Sequence, residues 1–161
     1  MDKFMSTIEG KIDAKGRVSV PASFRAAIIA QSGGDQPSIF IYPSFTETTI
    51  EGGGPSLYRR YSEMLDRLDP FTEEYEAMSD ALFGGSGLLT MDSEGRVSLP
   101  KSLLLEAGID KTLLFVGMGE RFRIWNPESY AAYRPRARAK ALESRNALRS
   151  LANGPPGGAA Q

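Results

Sequence analysis

Nine residues of this chain occur twice. Asp13-Ala14-Lys15-Gly16-Arg17-Val18-Ser19-Val20-Pro21 returns 79 residues further on, without a gap, as Asp92-Ser93-Glu94-Gly95-Arg96-Val97-Ser98-Leu99-Pro100. Asp, Gly, Arg, Val, Ser and Pro recur at the same places, and Val20 is matched by Leu99. A polar turn repeated this closely constrains the chain to two similar halves.

Each copy reads as strand, tight turn, strand and helix start. Asp13 and Asp92 at the turn entrance bond nearby amides, and Gly16 and Gly95 take a positive φ without a Cβ clash. Arg17 and Arg96 begin the return strands. Val18, Val20, Val97 and Leu99 alternate inward. Pro21 and Pro100 suit the first helical turn, where no amide donor is needed. The first helix should bury Phe24, Ala27 and Ile28 and stop before Gly33-Gly34. The second should bury Leu103, Leu104 and Ala107, with Gly108 as its cap. A polar tip explains Asp and Gly; Lys15 and the two arginines point to a further use.

The chain has 161 residues, with no cysteine and no histidine. That removes disulfides, thiolates, imidazole bases and the usual transition-metal ligands. No cofactor or metal is expected. A catalyst would need carboxylates, Lys, Tyr or Ser, and neither a Gly-x-Ser-x-Gly nor a P-loop pattern occurs. Gly117-x-Gly119 is a weak signal, and Gly52-Gly53-Gly54 lacks a following Lys-Ser/Thr, so it reads as a joint. The expectation is a non-enzyme without a small-molecule substrate. No apolar stretch is long enough for a signal peptide or a bilayer span, so no membrane role and a cytoplasmic location are expected.

Formal net charge is −1, but the charge is segregated. Acids dominate from Leu57 to Phe83, whereas the first turn and the C-terminal tail are locally basic. A basic face can therefore exist on an acidic protein.

Between the copies, Ser38 to Tyr42 reads as a strand ended by Pro43, and Phe45 to Glu51 as a β-rich segment pairing back. Gly52-Gly53-Gly54-Pro55 should break the chain. Leu57, Tyr61, Met64, Leu65 and Leu68 recur at helical spacing. Asp69-Pro70 reads as a cap and first helical residue for a helix carrying Phe71, Tyr75, Met78 and Leu82. After the second copy, Thr112 to Gly117 and Phe122 to Trp125 are strands. Asn126-Pro127-Glu128 starts a helix that Pro135 should kink or restart. Arg134, Arg138, Arg145 and Arg149 share one face of it, and Gly154 to Gln161 reads as a frayed tail.

The doubled Asp-x-x-Gly-Arg-Val-Ser-hydrophobic-Pro, with Phe115-Val116-Gly117 and then Arg121-Phe122-Arg123-Ile124-Trp125-Asn126-Pro127, resembles the MraZ family. Those are bacterial transcriptional regulators built from two AbrB-like (SpoVT-AbrB) halves. The resemblance covers roughly Phe4 to Tyr133. It implies an α+β fold: a pseudo-two-fold swapped-hairpin β-barrel with flanking helices. It implies halves at 4–51 and 88–133, separated by a helical pair at 55–83 and a joint at 84–87, with a basic tail at 134–161. It also implies a nucleoid-associated, ring-like homo-oligomer on repeated double-stranded promoter boxes of the division and cell-wall gene cluster.

Carried over by position, the DNA-facing residues are Asp13 and Arg17, Asp92 and Arg96, with Lys15 as the basic residue before the glycine. Glu94 stands where the first copy has Lys15, so the first turn is expected to dominate. The resulting assignment is Lys15, Arg17 and Arg96 on DNA, with Asp13, Gly16, Asp92 and Gly95 forming the turns. If the three cations each neutralise one phosphate, the salt slope is only about −2.7, so useful affinity requires several copies. A rival reading is an antitoxin-like interaction module or ring scaffold that works through the acidic helical pair.

Overall fold

A computed structural model describes residues 3–34 and 36–154. Residues 155–161, which include most of the expected frayed tail, lie outside the described ones. Residues up to Pro127 form one compact unit, and a second unit follows from Glu128.

The compact unit is α+β. Its main sheet has six antiparallel strands: β1 (Thr7–Lys11), β3 (Ser38–Pro43), β4 (Ile50–Gly53), β5 (Gly87–Thr90), β7 (Thr112–Gly117) and β8 (Phe122–Trp125). The two short return strands, β2 (Arg17–Ser19) and β6 (Arg96–Ser98), pair only with each other. The order in the main sheet is β1-β7-β8-β4-β3-β5. Matching β1 with β5, β7 with β3 and β8 with β4 makes that order read the same from either edge. A pseudo-two-fold axis therefore runs between β4 and β8.

The strands flanking each turn part company. Asp13 N–H donates to the Arg17 carbonyl at 2.8 Å, and Asp92 N–H to that of Arg96 at 2.9 Å. Beyond those bonds, β1 runs along β7 and β5 along β3. The expected self-contained ribbons are thus replaced by pairing between distant parts of the chain. Among the described residues the sheet stays open, with β1 and β5 as its edges, and no closed barrel forms.

The core explains why the strands hold. Phe4, Phe24, Phe115 and Phe122 meet mostly edge-on, with ring centroids 4.9–5.8 Å apart for the Phe4–Phe122, Phe4–Phe24 and Phe24–Phe115 pairs. Burial of such a side chain contributes roughly 1.5–3 kcal/mol. Strand β3 is apolar on both faces. Ile39 and Ile41 join this main core, while Phe40 and Tyr42 join a second cluster with Leu57 and Leu82. Two-sided burial is why Ser-Ile-Phe-Ile-Tyr shows no polar alternation.

Helix α1 (Ala22–Ser32) buries Phe24, Ala27 and Ile28, and Gly33 ends it at φ 58°. Helix α4 (Lys101–Glu106) buries Leu103 and is followed by Gly108 at φ 67°. Pro21 and Pro100 occupy the capping position, one residue before the helical turn expected for them.

Other expectations need correction. Gly52 and Gly53 lie inside β4 instead of breaking the chain. A Cβ on Gly52 would stand 2.9 Å from the Phe122 ring, so close approach is what requires glycine there. Helix α2 (Pro55–Asp66) does start at Pro55. Helix α3 (Glu73–Ser79) is capped by Thr72, whose hydroxyl accepts from Tyr75 N–H at 3.2 Å. Asp69-Pro70 forms a separate turn, with Phe71 N–H donating to the Asp69 carboxylate, and Phe71 is 95% exposed instead of packed. Helix α5 (Pro127–Ala152) continues through Pro135 without a restart.

Candidate nucleic-acid interface

The two turns have the same geometry. The Asp13 carboxylate accepts from Lys15 N–H at 2.9 Å and Arg17 N–H at 2.8 Å, and its other oxygen accepts from Arg17 Nε at 2.9 Å. Asp92 accepts from Glu94 N–H at 2.9 Å, Arg96 N–H at 2.9 Å and Arg96 Nε at 2.8 Å. Gly16 and Gly95 close the turns at φ 81° and 79°, and their N–H groups donate to the Asp13 and Asp92 carbonyls. The repeated Asp and Arg are therefore one device: the carboxylate organises the turn and grips the side of the guanidinium.

The electrostatics follow. Hydrogen bonds from the Arg17 backbone, then from its side chain and the Lys15 amide, hold Asp13 below the ordinary carboxylate range. The matching donors from Arg96 and Glu94 do the same for Asp92. The Asp92 side-chain hydrogen bond raises Arg96 in turn.

Pairing of β2 with β6 brings the turns together. Arg17 stands opposite Ser98 and Arg96 opposite Ser19, with Val18 and Val97 paired between them. Val18 and Val97 are buried, so the period-2 alternation places both arginines on the other face of this ribbon, with exposed Ser19 and Ser98. Two guanidinium groups 79 residues apart in the chain become diagonal neighbours on one surface. The ribbon that could present them is made by both copies of the motif and not by either alone.

The two arginines are not equivalent. Asp13 holds Arg17 through Nε alone, and among the described residues its terminal nitrogens carry no protein hydrogen bond. Arg96 is also held at Nη2 by Glu94 at 3.0 Å, so two carboxylates engage it. Lys15 is exposed, and its side chain makes no ion pair among the described residues.

Sequence reasoning missed Arg25. Its Nη1 donates to the Val20 carbonyl of the first copy, while its stem lies against Gly95 in the second turn. Gly95 is consequently buried, whereas nothing lies within 4 Å of a Cβ built on Gly16. The repeat offset places Leu104 where the first half has Arg25, so the nine-residue motif carried no signal for it.

Among the described residues no cluster of acids suits a metal ion, and no helix is long and apolar enough to cross a membrane.

Fold and turns define a class: a two-fold-repeated α+β protein whose halves each present an Asp-clamped arginine on a shared ribbon. The chain belongs to the MraZ family. The family described as "MraZ protein, putative antitoxin-like" matches residues 82–150. A protein of Parvibaculum lavamentivorans named "Transcriptional regulator MraZ" is 44% identical over 93% of this chain and 92% of its own length. Relatives of the same name are 41% identical in Beijerinckia indica, over 93% of this chain and 90% of that one, and 38% identical in Gluconobacter oxydans, over the full length of both.

Proposed function

We propose that this chain is a transcriptional regulator that binds double-stranded DNA through the β2–β6 ribbon and its turns. The observation that carries the reading is the diagonal placement of Arg17 and Arg96 on one exposed ribbon face. A two-stranded ribbon fits the major groove, and a planar guanidinium can meet guanine O6 and N7 or clamp a phosphate. The interleaved pairing supports two AbrB-like halves, 4–51 and 88–133, joined as a swapped-hairpin unit.

Lys15 and the free end of Arg17 dominate the contact, because Arg96 is already neutralised by Asp92 and Glu94. Two effective cations give a salt slope of only about −1.8 per chain. Useful affinity then comes from a ring-like homo-oligomer meeting repeated boxes upstream of the division and cell-wall gene cluster, where effective concentration multiplies weak contacts. The protein is then cytoplasmic and nucleoid-associated, needs no cofactor and is not an enzyme.

The test is retardation of a fragment carrying the chain's own upstream region. Arg17→Ala should abolish the shift with assembly mass unchanged. Lys15→Ala should weaken it with the turn intact, because the Lys15 side chain makes no hydrogen bond or ion pair among the described residues. Normal shifts by both variants would remove the first turn from the interface.

A further inference from the structure

Two surfaces of this chain lack a covering and complement each other. The first is a groove of about 360 Å³ lined by Phe45, Tyr61, Met64, Leu68, Met78 and Leu82. Phe45 is 49% and Met64 54% exposed. The groove is open and lined almost wholly by apolar side chains, so it can receive apolar side chains from a partner surface. Its surroundings are acidic. From Pro55 to Gly84 there are seven acids against Arg59, Arg60 and Arg67, and Glu120 already engages Arg60.

The second surface is α5. None of its 26 residues is buried, and every residue from 138 to 152 is exposed. Residues 138–152 therefore gain no packing within a single chain, and packing is the main source of helical stability in proteins. Ala137, Ala141, Ser144, Leu148 and Leu151 recur at alternating spacings of four and three, which puts them on one face. Arg138, Arg145 and Arg149 run beside that face. The whole helix carries six cations against Glu128 and Glu143, the reverse of the charge around the groove.

We propose that the C-terminal half of α5 from one copy docks into the α2–α3 groove of a second copy. Leu148 and Leu151 fill the apolar floor, and Arg138, Arg145 and Arg149 face the acids of α2 and α3. Desolvation at the leucines supplies affinity, while opposite charge fixes register and makes the contact salt-dependent. Each copy offers one groove and one helix, so the contact is heterologous and propagates from copy to copy until it closes. This inference rests on the homo-oligomer of the previous section and names its interface.

The experiment is mass photometry of the full chain without DNA. Helix variant Leu148→Asp/Leu151→Asp and groove variant Met64→Asp/Met78→Asp each change exposed residues, and circular dichroism checks that each stays folded. Each should raise the concentration at which the assembly dissociates by at least tenfold. An equimolar mixture should regain a dimer, because one intact groove and one intact helix remain. Arg145→Glu/Arg149→Glu should dissociate the assembly, and adding Glu63→Lys/Asp66→Lys should restore it. A mixture that stays monomeric, or assemblies indifferent to both variants, would overturn the proposal. The DNA reading fails separately: there Arg17→Ala still retards DNA, whatever the mass without it.

Discussion

Glu51 and Arg123 face each other across β4 and β8, with Nε 3.0 Å from the carboxylate and both side chains nearly sealed from solvent. The same carboxylate accepts from Tyr42 at 2.9 Å and Ser44 at 2.9 Å, and Arg121 lies 3.3 Å away. Burial and the adjacent Tyr61 and Glu51 push the Tyr42 phenol well above its ordinary range, which keeps it a donor. The Glu51 carboxylate is thus surrounded by donors inside the fold, which offsets the cost of burying it.

Removing one member of such a pair strands the other. Arg123→Met should cost about 3–5 kcal/mol, and a Glu51→Leu/Arg123→Met double variant should cost clearly less. Urea midpoints of the two variants measure the difference. Equal losses would mean that the charges are not coupled.

The repeat made the turns, the inward valines, α1, α4, β7 and β8 readable, because turn chemistry and period-2 alternation are local signals. What stayed hidden depended on partners far along the chain. Glu51 looked like one more strand residue until Arg123, 72 residues later, arrived beside it. Gly52-Gly53 looked like a joint because nothing local announces the Phe122 ring above it. The arginines were read as a ribbon tip from each copy, whereas the ribbon that carries both needs β2 and β6 together. Arg25 was silent for the same reason.

Gly52→Ala tests the close approach. Its new methyl would sit 2.9 Å from Phe122 and 3.0 Å from Ile41. Overpacking of this kind costs about 1–3 kcal/mol. Phe122→Leu on the same background should recover part of the loss in thermal melts, and Gly87→Ala, with open space at its Cβ, serves as the tolerated control.

The turn carboxylates set an acid limb. Asp13 and Asp92 are held below their ordinary value in the fold, so their stabilising contribution is complete above that value. It is lost as pH falls from the ordinary carboxylate value through the depressed folded ones. The Gly16 and Gly95 amide resonances should therefore move together only in strong acid. Asp13→Asn should remove the response at Gly16 and leave that at Gly95.

Glu94 offers the sharpest test of the asymmetry between the turns. It is 67% exposed and holds Arg96 Nη2 at 3.0 Å, so it both repels phosphate and occupies the guanidinium. Glu94→Lys removes the repulsion, frees that nitrogen and restores the residue type that Lys15 supplies in the first turn. Each new phosphate contact steepens the salt slope by about 0.9 per chain. The variant should accordingly retard promoter fragments more tightly at low salt and lose that advantage as salt rises. Glu94→Gln, which frees Arg96 without adding charge, should fall between it and the wild type. An unchanged slope in both variants would mean that the second turn faces away from the helix and that Arg96 serves only to close its own loop.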